Sequence, residues 1–577
     1  MGMRNDGSSY WEAQSEGFEL LNTTIGDLLD DRAARYPDQE ALVYSAYPEF
    51  GPLLNIRWTY REYRDRANQL AKGLMALGLQ KGEHIAVWAV NFPDWILLEM
   101  AAAKAGLVLA TANPTYRGSE LEYVLRQGDI AALFFQAKVR DHDCVATVRE
   151  RVSPGVGAGA VISEALPKLR YAFLIGPPPA ESSWQPTPMR ELMTLGAHIS
   201  DEELKARQAQ VKPSDPAQLQ YTSGTTGFPK GALLSHYSIL NNAAVVAHRL
   251  GTSPGHRFCT GMPMFHTGGC VLGVLSALYA GGALLPLLAF DPVKALDTIA
   301  NEQCIQFGGV PTMLIAMLQH PHSKEVDLSH LQKVFSGGSP VPVALMEQVS
   351  AAWGANVGIV FGQTEASPTI TQTFNDDSFE LKSATVGKPL PHTDVKIINP
   401  QAGEAVPCGE RGELCCRGYL VMQGYYNMPE KTAEAIDQEG WLHTGDLATM
   451  SKDGYVNIVG RLKDMVIRGG ENLFPTEIEE FLIRHPKVAD VQVLGVPDAF
   501  FGEELLAVVM PKAGETITEE ELREFCKGKI SYQKIPRYFK FVTSYPMTAS
   551  GKVQKFVLRE QAVKELGLEA TAKTKTA

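Results

Sequence analysis

The sequence predicts an α/β protein: a large N-terminal part of layered α/β subdomains with a small β-rich subdomain, then a smaller α+β domain. Three observations predict it. Helical periodicity alternates with short apolar runs over most of the chain up to Met450, which is the rhythm of βαβ layers. Between Val386 and Val459 that rhythm gives way to short strand-like segments and Gly-rich turns. The length, 577 residues, exceeds the size at which one hydrophobic core stops growing.

In chain order, Leu70, Leu74 and Leu77 share one face of a helix from Tyr63 to Leu77. A strand from Ile85 to Val90, a helix from Pro93 to Ala105 and an apolar run from Leu107 to Ala110 follow. The stretch from Cys270 to Phe290 holds no charged residue and has the length of a membrane span. Gly273, Gly281, Gly282 and Pro286 interrupt it, so the expected structure is a buried helix to Tyr279, a Gly-Gly turn and a buried strand from Ala283 to Phe290. Helix and strand then alternate again at Val293 to Glu302 and Ile305 to Val310. The turns Ala402-Gly403, Gly409-Glu410-Arg411-Gly412 and Lys452-Asp453-Gly454 punctuate the β-rich part. Gly460-Arg461-Leu462-Lys463-Asp464 breaks the apolar flow and sets the expected boundary, with residues 1–460 before it and 461–577 after it. The Ala/Thr/Lys-rich end from Glu569 is expected to be disordered.

Hydrophobic residues make up 45% and charged residues 20%, an ordinary globular composition. The net charge of -12 disfavours nucleic acid as a partner. One region runs against it: Lys527 to Lys564 holds nine basic residues and a single acid, Glu560. That region reads either as a solvated face with acids supplied from elsewhere in space or as a seat for a polyanionic small molecule. Eight scattered cysteines without C-x-x-C spacing read as buried thiols in a reducing compartment. Residues 1–19 carry acids and no apolar core, so neither a secretion signal nor a transit sequence is recognised, and the expected residence is cytoplasmic.

The run Tyr221-Thr222-Ser223-Gly224-Thr225-Thr226-Gly227-Phe228-Pro229-Lys230-Gly231 is built for phosphate. Its glycines admit backbone N–H groups close to an anion, its hydroxyls donate further hydrogen bonds, and Lys230 offsets phosphate charge. The spacing is not that of a Walker loop. Gly155-Val156-Gly157-Ala158-Gly159 likewise misses the dinucleotide spacing and reads as a loop.

The phosphate run resembles the signature of the adenylate-forming superfamily, which includes acyl-CoA synthetases, luciferases and peptide-synthetase adenylation domains. Four more segments match in order: Phe361-Gly362-Gln363-Thr364-Glu365, Trp441-Leu442-His443-Thr444-Gly445-Asp446, the hinge Gly460 to Asp464, and Pro546-Met547-Thr548-Ala549-Ser550-Gly551-Lys552. The resemblance implies an enzyme that uses ATP and Mg²⁺ to make an acyl-adenylate and passes the acyl group to coenzyme A, with a C-terminal domain that moves. It implies phosphate contacts from Thr222, Ser223, Gly224, Thr225, Thr226, Gly227 and Lys230. It assigns Mg²⁺ to Glu365, whose carboxylate suits a hard cation, and the α-phosphate to Thr364 beside Gln363. Asp446 would accept both ribose hydroxyls with Arg461 donating nearby, and Phe361, beside Gly362, would stack on adenine where the family more often has tyrosine. Gly337, Gly338, Ser339 and Pro340 resemble the segment lining the adenine and acyl sites. Catalysis falls to Lys552, with Glu365, Thr225 and Lys230 in support, because a positioned ammonium offsets the charge of a carboxylate attacking phosphorus. Lys463 matches the pivot, and Gly469, Gly470 and Glu471 match the pantetheine tunnel.

Pro263 to Cys270 resembles the wall of the acid pocket, with His266 where amino-acid-activating members place an aspartate. Gly268, Gly269 and Gly273 leave space beside apolar walls, which suits an alkyl chain of medium length. Arg417-Gly418-Tyr419 and Ile467 to Asn472 look closest to medium-chain fatty acyl-CoA synthetases. Aryl, branched or short sulfur-containing acids stay open, as do a carrier-protein acceptor, a luciferase-type oxygenase and a nucleotide-binding module without catalysis. Partners are expected to be the acid, ATP and coenzyme A, with no transmembrane segment and the oligomeric state open, a homodimer included.

Overall fold

The computed structural model describes residues 2–179, 184–222, 229–468, 471–498, 500–548 and 552–569. They form two compact units: Glu12–Asp394 with Cys416–Leu442, and Met1–Trp11 with Val395–Cys415 and His443–Ala577.

The larger unit holds two sheets with helices packed on them. One has seven strands in the order Tyr171–Ile175, Ile130–Gln136, His84–Trp88, Val108–Thr111, Pro216–Thr222, Lys230–Ser235 and Gly424–Tyr425. Its first five are parallel, and the last two are added antiparallel. The other sheet has nine strands and centres on a parallel set that includes Arg257–Thr260, Gln306–Gly308, Lys333–Gly337 and Asn356–Gly362.

Local signals explain where the helices begin and end. Thr59 and Glu62 form a reciprocal capping box, so the helix starts at Tyr60 and runs to Ala76, burying Leu70 and Leu74 completely. Helix Pro93–Ala105 begins on its proline and stops at Gly106, which takes a left-handed φ of 70°. It is buried on every side apart from Asp94, as suits a helix enclosed within a core. Each leucine so buried contributes about 1.5–3 kcal/mol.

The charge-free stretch is a buried helical run, but not a regular one. Cys270–Leu275 is wound as a π-helix and continues as an α-helix over Ser276–Ala280, ended by Gly281 at φ 71°. The strand beyond it spans only Ala283–Pro286. No described helix is long and apolar enough to cross a membrane.

The smaller unit contains a five-stranded sheet ordered Tyr10–Trp11, Thr393–Ile398, Gly412–Gly418, Leu442–Met450 and Val456–Arg461. A second sheet is built on the long antiparallel pair Val488–Asp498 and Gly502–Pro511. Tyr538–Phe541 adds to it in parallel, and helices Pro475–Leu482 and Glu519–Cys526 cover its core.

Candidate functional site

In the larger unit the two described ends of the phosphate run lie on paired strands. Pro216–Thr222 pairs antiparallel with Lys230–Ser235, and Thr222 stands opposite Lys230. Ser223, Gly224, Thr225, Thr226 and Gly227 lie outside the described residues. Lys230 donates to the Tyr425 hydroxyl at 2.9 Å, its ammonium 4.0 Å from the ring centroid. The same hydroxyl donates to Glu365 Oε1 at 2.7 Å. Tyr425, unmarked by any sequence signal, thus connects Lys230 with Glu365. Burial and the Glu365 carboxylate push its phenol well up.

Glu365 sits in the single turn Thr364–Ala366, beyond the end of strand Asn356–Gly362. The neighbouring parallel strand ends at Gly337, opposite Val360. Gly337 must be glycine, because a Cβ there would stand 2.2 Å from the Val360 carbonyl oxygen. Gly338 follows at φ 79° and turns the chain toward Ser339 and Pro340. These residues and the partly exposed run of Phe361, Gly362, Gln363 and Thr364 therefore leave the sheet together at the carboxyl ends of parallel strands, where open α/β sheets receive ligands.

The His266 carbonyl accepts from the Gly269 and Cys270 amides, and its ring packs 4.2 Å from that of Phe265. Gly269 does not open a cavity: a Cβ there would meet the Pro263 carbonyl oxygen at 2.3 Å, so backbone already fills the space. Beneath this segment runs a buried polar chain that the sequence did not reveal. Gln218 donates to Glu99 and Gln220 to Gln218, and the Thr111 hydroxyl lies 2.9 Å from both Gln220 Oε1 and the Phe265 carbonyl oxygen, with one proton for the two.

The smaller unit gathers a second group. Asp446 and Arg461 face each other on paired strands, and Arg461 Nε donates to Asp446 Oδ1 at 2.6 Å. Burial raises the Asp446 carboxyl above its ordinary range, against the opposing pull of Arg461 and then Lys552. The strand segment presenting Asp446 is clamped by Glu413, which accepts from the Gly445 amide at 3.1 Å while its other oxygen lies 2.9 Å from His443 Nδ1. Cys415 Sγ lies 3.5 Å from the same nitrogen.

Lys552 makes two bonds with Thr548: its amide donates to the hydroxyl at 3.0 Å, and its carbonyl accepts from the amide at 2.7 Å; Ala549, Ser550 and Gly551 lie outside the described residues. Lys463 lies in the one-turn segment Leu462–Asp464. Strand Glu471–Leu473 pairs back onto Val466–Arg468, while Gly469 and Gly470 lie outside the described residues. The basic stretch is largely neutralised from elsewhere in space. Lys534 pairs with Glu477, Arg537 with Asp498, Lys540 with Glu565, Lys555 with Glu479 and Arg559 with Glu503. The solvated-face reading therefore describes most of it.

The AMP-binding enzyme family matches residues 29–426, and the AMP-binding enzyme C-terminal domain matches residues 477–552. This chain belongs to that family and is an adenylate-forming enzyme. A Bacillus subtilis (strain 168) protein, YngI, named provisionally as an acyl-CoA synthetase, is 45% identical over 96% of this chain and its own full length. The mitochondrial medium-chain acyl-CoA ligase ACSF2 of Mus musculus is 38% identical over 97% of this chain and 91% of its own. The crystal structure of ATP-bound MatB from Rhodopseudomonas palustris superposes with a TM-score of 0.80 at 29% identity, covering 95% of this chain and all of MatB.

The expectation of a cytoplasmic residence is corrected by the mitochondrial relatives. All eight cysteines are free thiols, most of them buried, but such thiols report a reducing interior that a cytosol and an organelle matrix share.

Proposed function

We propose that this enzyme activates an aliphatic carboxylic acid of medium length with ATP and delivers the acyl group to coenzyme A. In the first step a carboxylate oxygen bonds to the α-phosphorus as the bond to the β-phosphate oxygen breaks, releasing pyrophosphate. In the second, the thiol sulfur bonds to the acyl carbon, the bond to AMP breaks, and the thiol proton is lost.

The observation that supports this reading is the pairing of buried Asp446 with Arg461 at 2.6 Å, to which Lys552 adds a further positive charge that lowers the Asp446 carboxyl. A ribose held by Asp446 and Arg461 would bring its α-phosphate toward the Lys552 ammonium, which suits the charge that develops in the transition state. Lys230 and the phosphate run would take the β- and γ-phosphates. Glu365 fits Mg²⁺, because a carboxylate among oxygen donors suits a hard cation that keeps water and phosphate as its other ligands. Phe361 would stack on adenine, and Gly338, Ser339 and Pro340 would border it. Residues 1–460 would form the adenylation domain and 461–577 a mobile domain pivoting at Lys463, with Gly469, Gly470 and Glu471 along the pantetheine path. Medium chain length is supported by the similarity to ACSF2. The limited discrimination of about 1 kcal/mol per methylene predicts activity spread over neighbouring lengths.

The test is coenzyme A-dependent AMP formation with acids from acetate to palmitate plus benzoate. Activity is expected to peak at intermediate alkanoic acids and to fall at least about 100-fold in Lys552→Ala. A peak on benzoate would overturn the chain-length assignment, and pyrophosphate release without coenzyme A-dependent AMP would move the acceptor elsewhere.

A further inference from the structure

We infer that the Tyr425 hydroxyl is a neutral spacer that holds Lys230 and Glu365 apart, keeping the ammonium available to nucleotide phosphates and the carboxylate available to their cation. The inference rests on the adenylation reading above.

A phenol has one proton to give and lone pairs to accept with. Here the proton goes to Glu365 Oε1 at 2.7 Å, and the oxygen accepts from Lys230 at 2.9 Å. Two opposite charges in a partly buried site attract strongly, and an ion pair formed directly between them would occupy both groups at once. A hydroxyl between them satisfies each without cancelling either.

The backbone fixes the spacer from both sides. Gly424–Tyr425 is the strand next to Lys230–Ser235, with Tyr425 opposite Ala232. The Gln423 and Tyr426 amides donate to Leu233 and Gly231 on that strand. On the other side, the Met422 amide donates to the Glu365 carbonyl at 2.8 Å. The Tyr425 amide is held by Thr432 Oγ1 at 2.9 Å, and the side chain is 6% exposed. One short segment thus carries the position of the lysine strand to the acidic turn.

The experiment is ATP–pyrophosphate exchange by the full chain carrying Tyr425→Phe, measured against salt. Without the hydroxyl, Lys230 and Glu365 close on each other, and the KM for MgATP is expected to rise roughly tenfold at low salt with kcat within about twofold. Raising ionic strength from about 20 to about 300 mM screens the closed pair, so the difference from wild type should narrow. Tyr426→Phe, whose hydroxyl instead bonds Asp129, is the control and should match wild type.

An unchanged KM, or a difference that widens with salt, overturns the spacer. Should Tyr425→Phe fail to fold, Tyr425→His carries the test. A neutral imidazole accepts at one nitrogen and donates at the other, so at about pH 8 its KM should approach wild type. A KM at that pH raised about tenfold in the folded variant sinks the idea. Absence of exchange in wild type would instead remove the adenylation reading on which it stands.

Discussion

Glu99 is a carboxyl group only 2% exposed, on a helix enclosed by core. One oxygen accepts from Gln218 Nε2 at 2.6 Å, while the other has no hydrogen-bond partner among the described residues. Burial drives its acidity constant well above the ordinary carboxylate range. The folded protein therefore holds this proton where the unfolded chain has released it, and stability must fall as pH rises from about 4.5 toward the folded-state value. In Glu99→Gln that dependence is absent. The stability advantage of the variant over wild type should widen as pH rises above about 4.5, with a limiting slope near 1.4 kcal/mol per pH unit, read from unfolding at a series of pH values. A constant difference would show that Glu99 is ionised in the fold. At this scale the sequence exposed the residues with distinctive chemistry and local context, such as Lys230, Glu365, Asp446, Arg461 and Lys552. It concealed Tyr425 and the Glu99–Gln218–Gln220 chain, because ordinary residue types acquire their roles only from neighbours distant in sequence.

Among elements, the carboxyl ends of the parallel strands are built by close backbone approach. At Gly362 a Cβ would stand 2.0 Å from the Pro368 carbonyl oxygen, a clash with main chain that no rotamer relieves. Gly362→Ala is expected to lower stability by about 1–3 kcal/mol and to raise the KM for ATP, because the strand end carrying Phe361 and the turn carrying Glu365 must shift. Thermal unfolding with exchange kinetics checks it, and an unchanged KM would separate this glycine from the site. Element boundaries were legible where caps were local. The Thr59–Glu62 box sets a helix start three residues before the apolar periodicity alone placed it, at Tyr60 rather than Tyr63. The π-helical winding of Cys270–Leu275 was not legible, since an apolar run without charges carries no mark of its hydrogen-bond register.

Across the whole molecule, the hinge reading is tested at Lys463, in a one-turn segment between strands Val456–Arg461 and Val466–Arg468. Proline there would restrict φ and remove an amide hydrogen. Lys463→Pro is expected to leave ATP–pyrophosphate exchange within about threefold while slowing coenzyme A-dependent AMP formation at least tenfold. Equal loss of both would assign Lys463 to adenylation itself. By itself the sequence determined the layered α/β class, the order of five motifs and the residue types able to hold phosphate, ribose and cation, because periodicity, turn chemistry and charge are properties of neighbouring residues. Only the tertiary structure decided that acids distant in sequence neutralise the C-terminal basic run, that backbone fills the space at Gly269, and that one tyrosine stands between Lys230 and Glu365. Each of these depends on distances across the fold, which no local pattern of residues encodes.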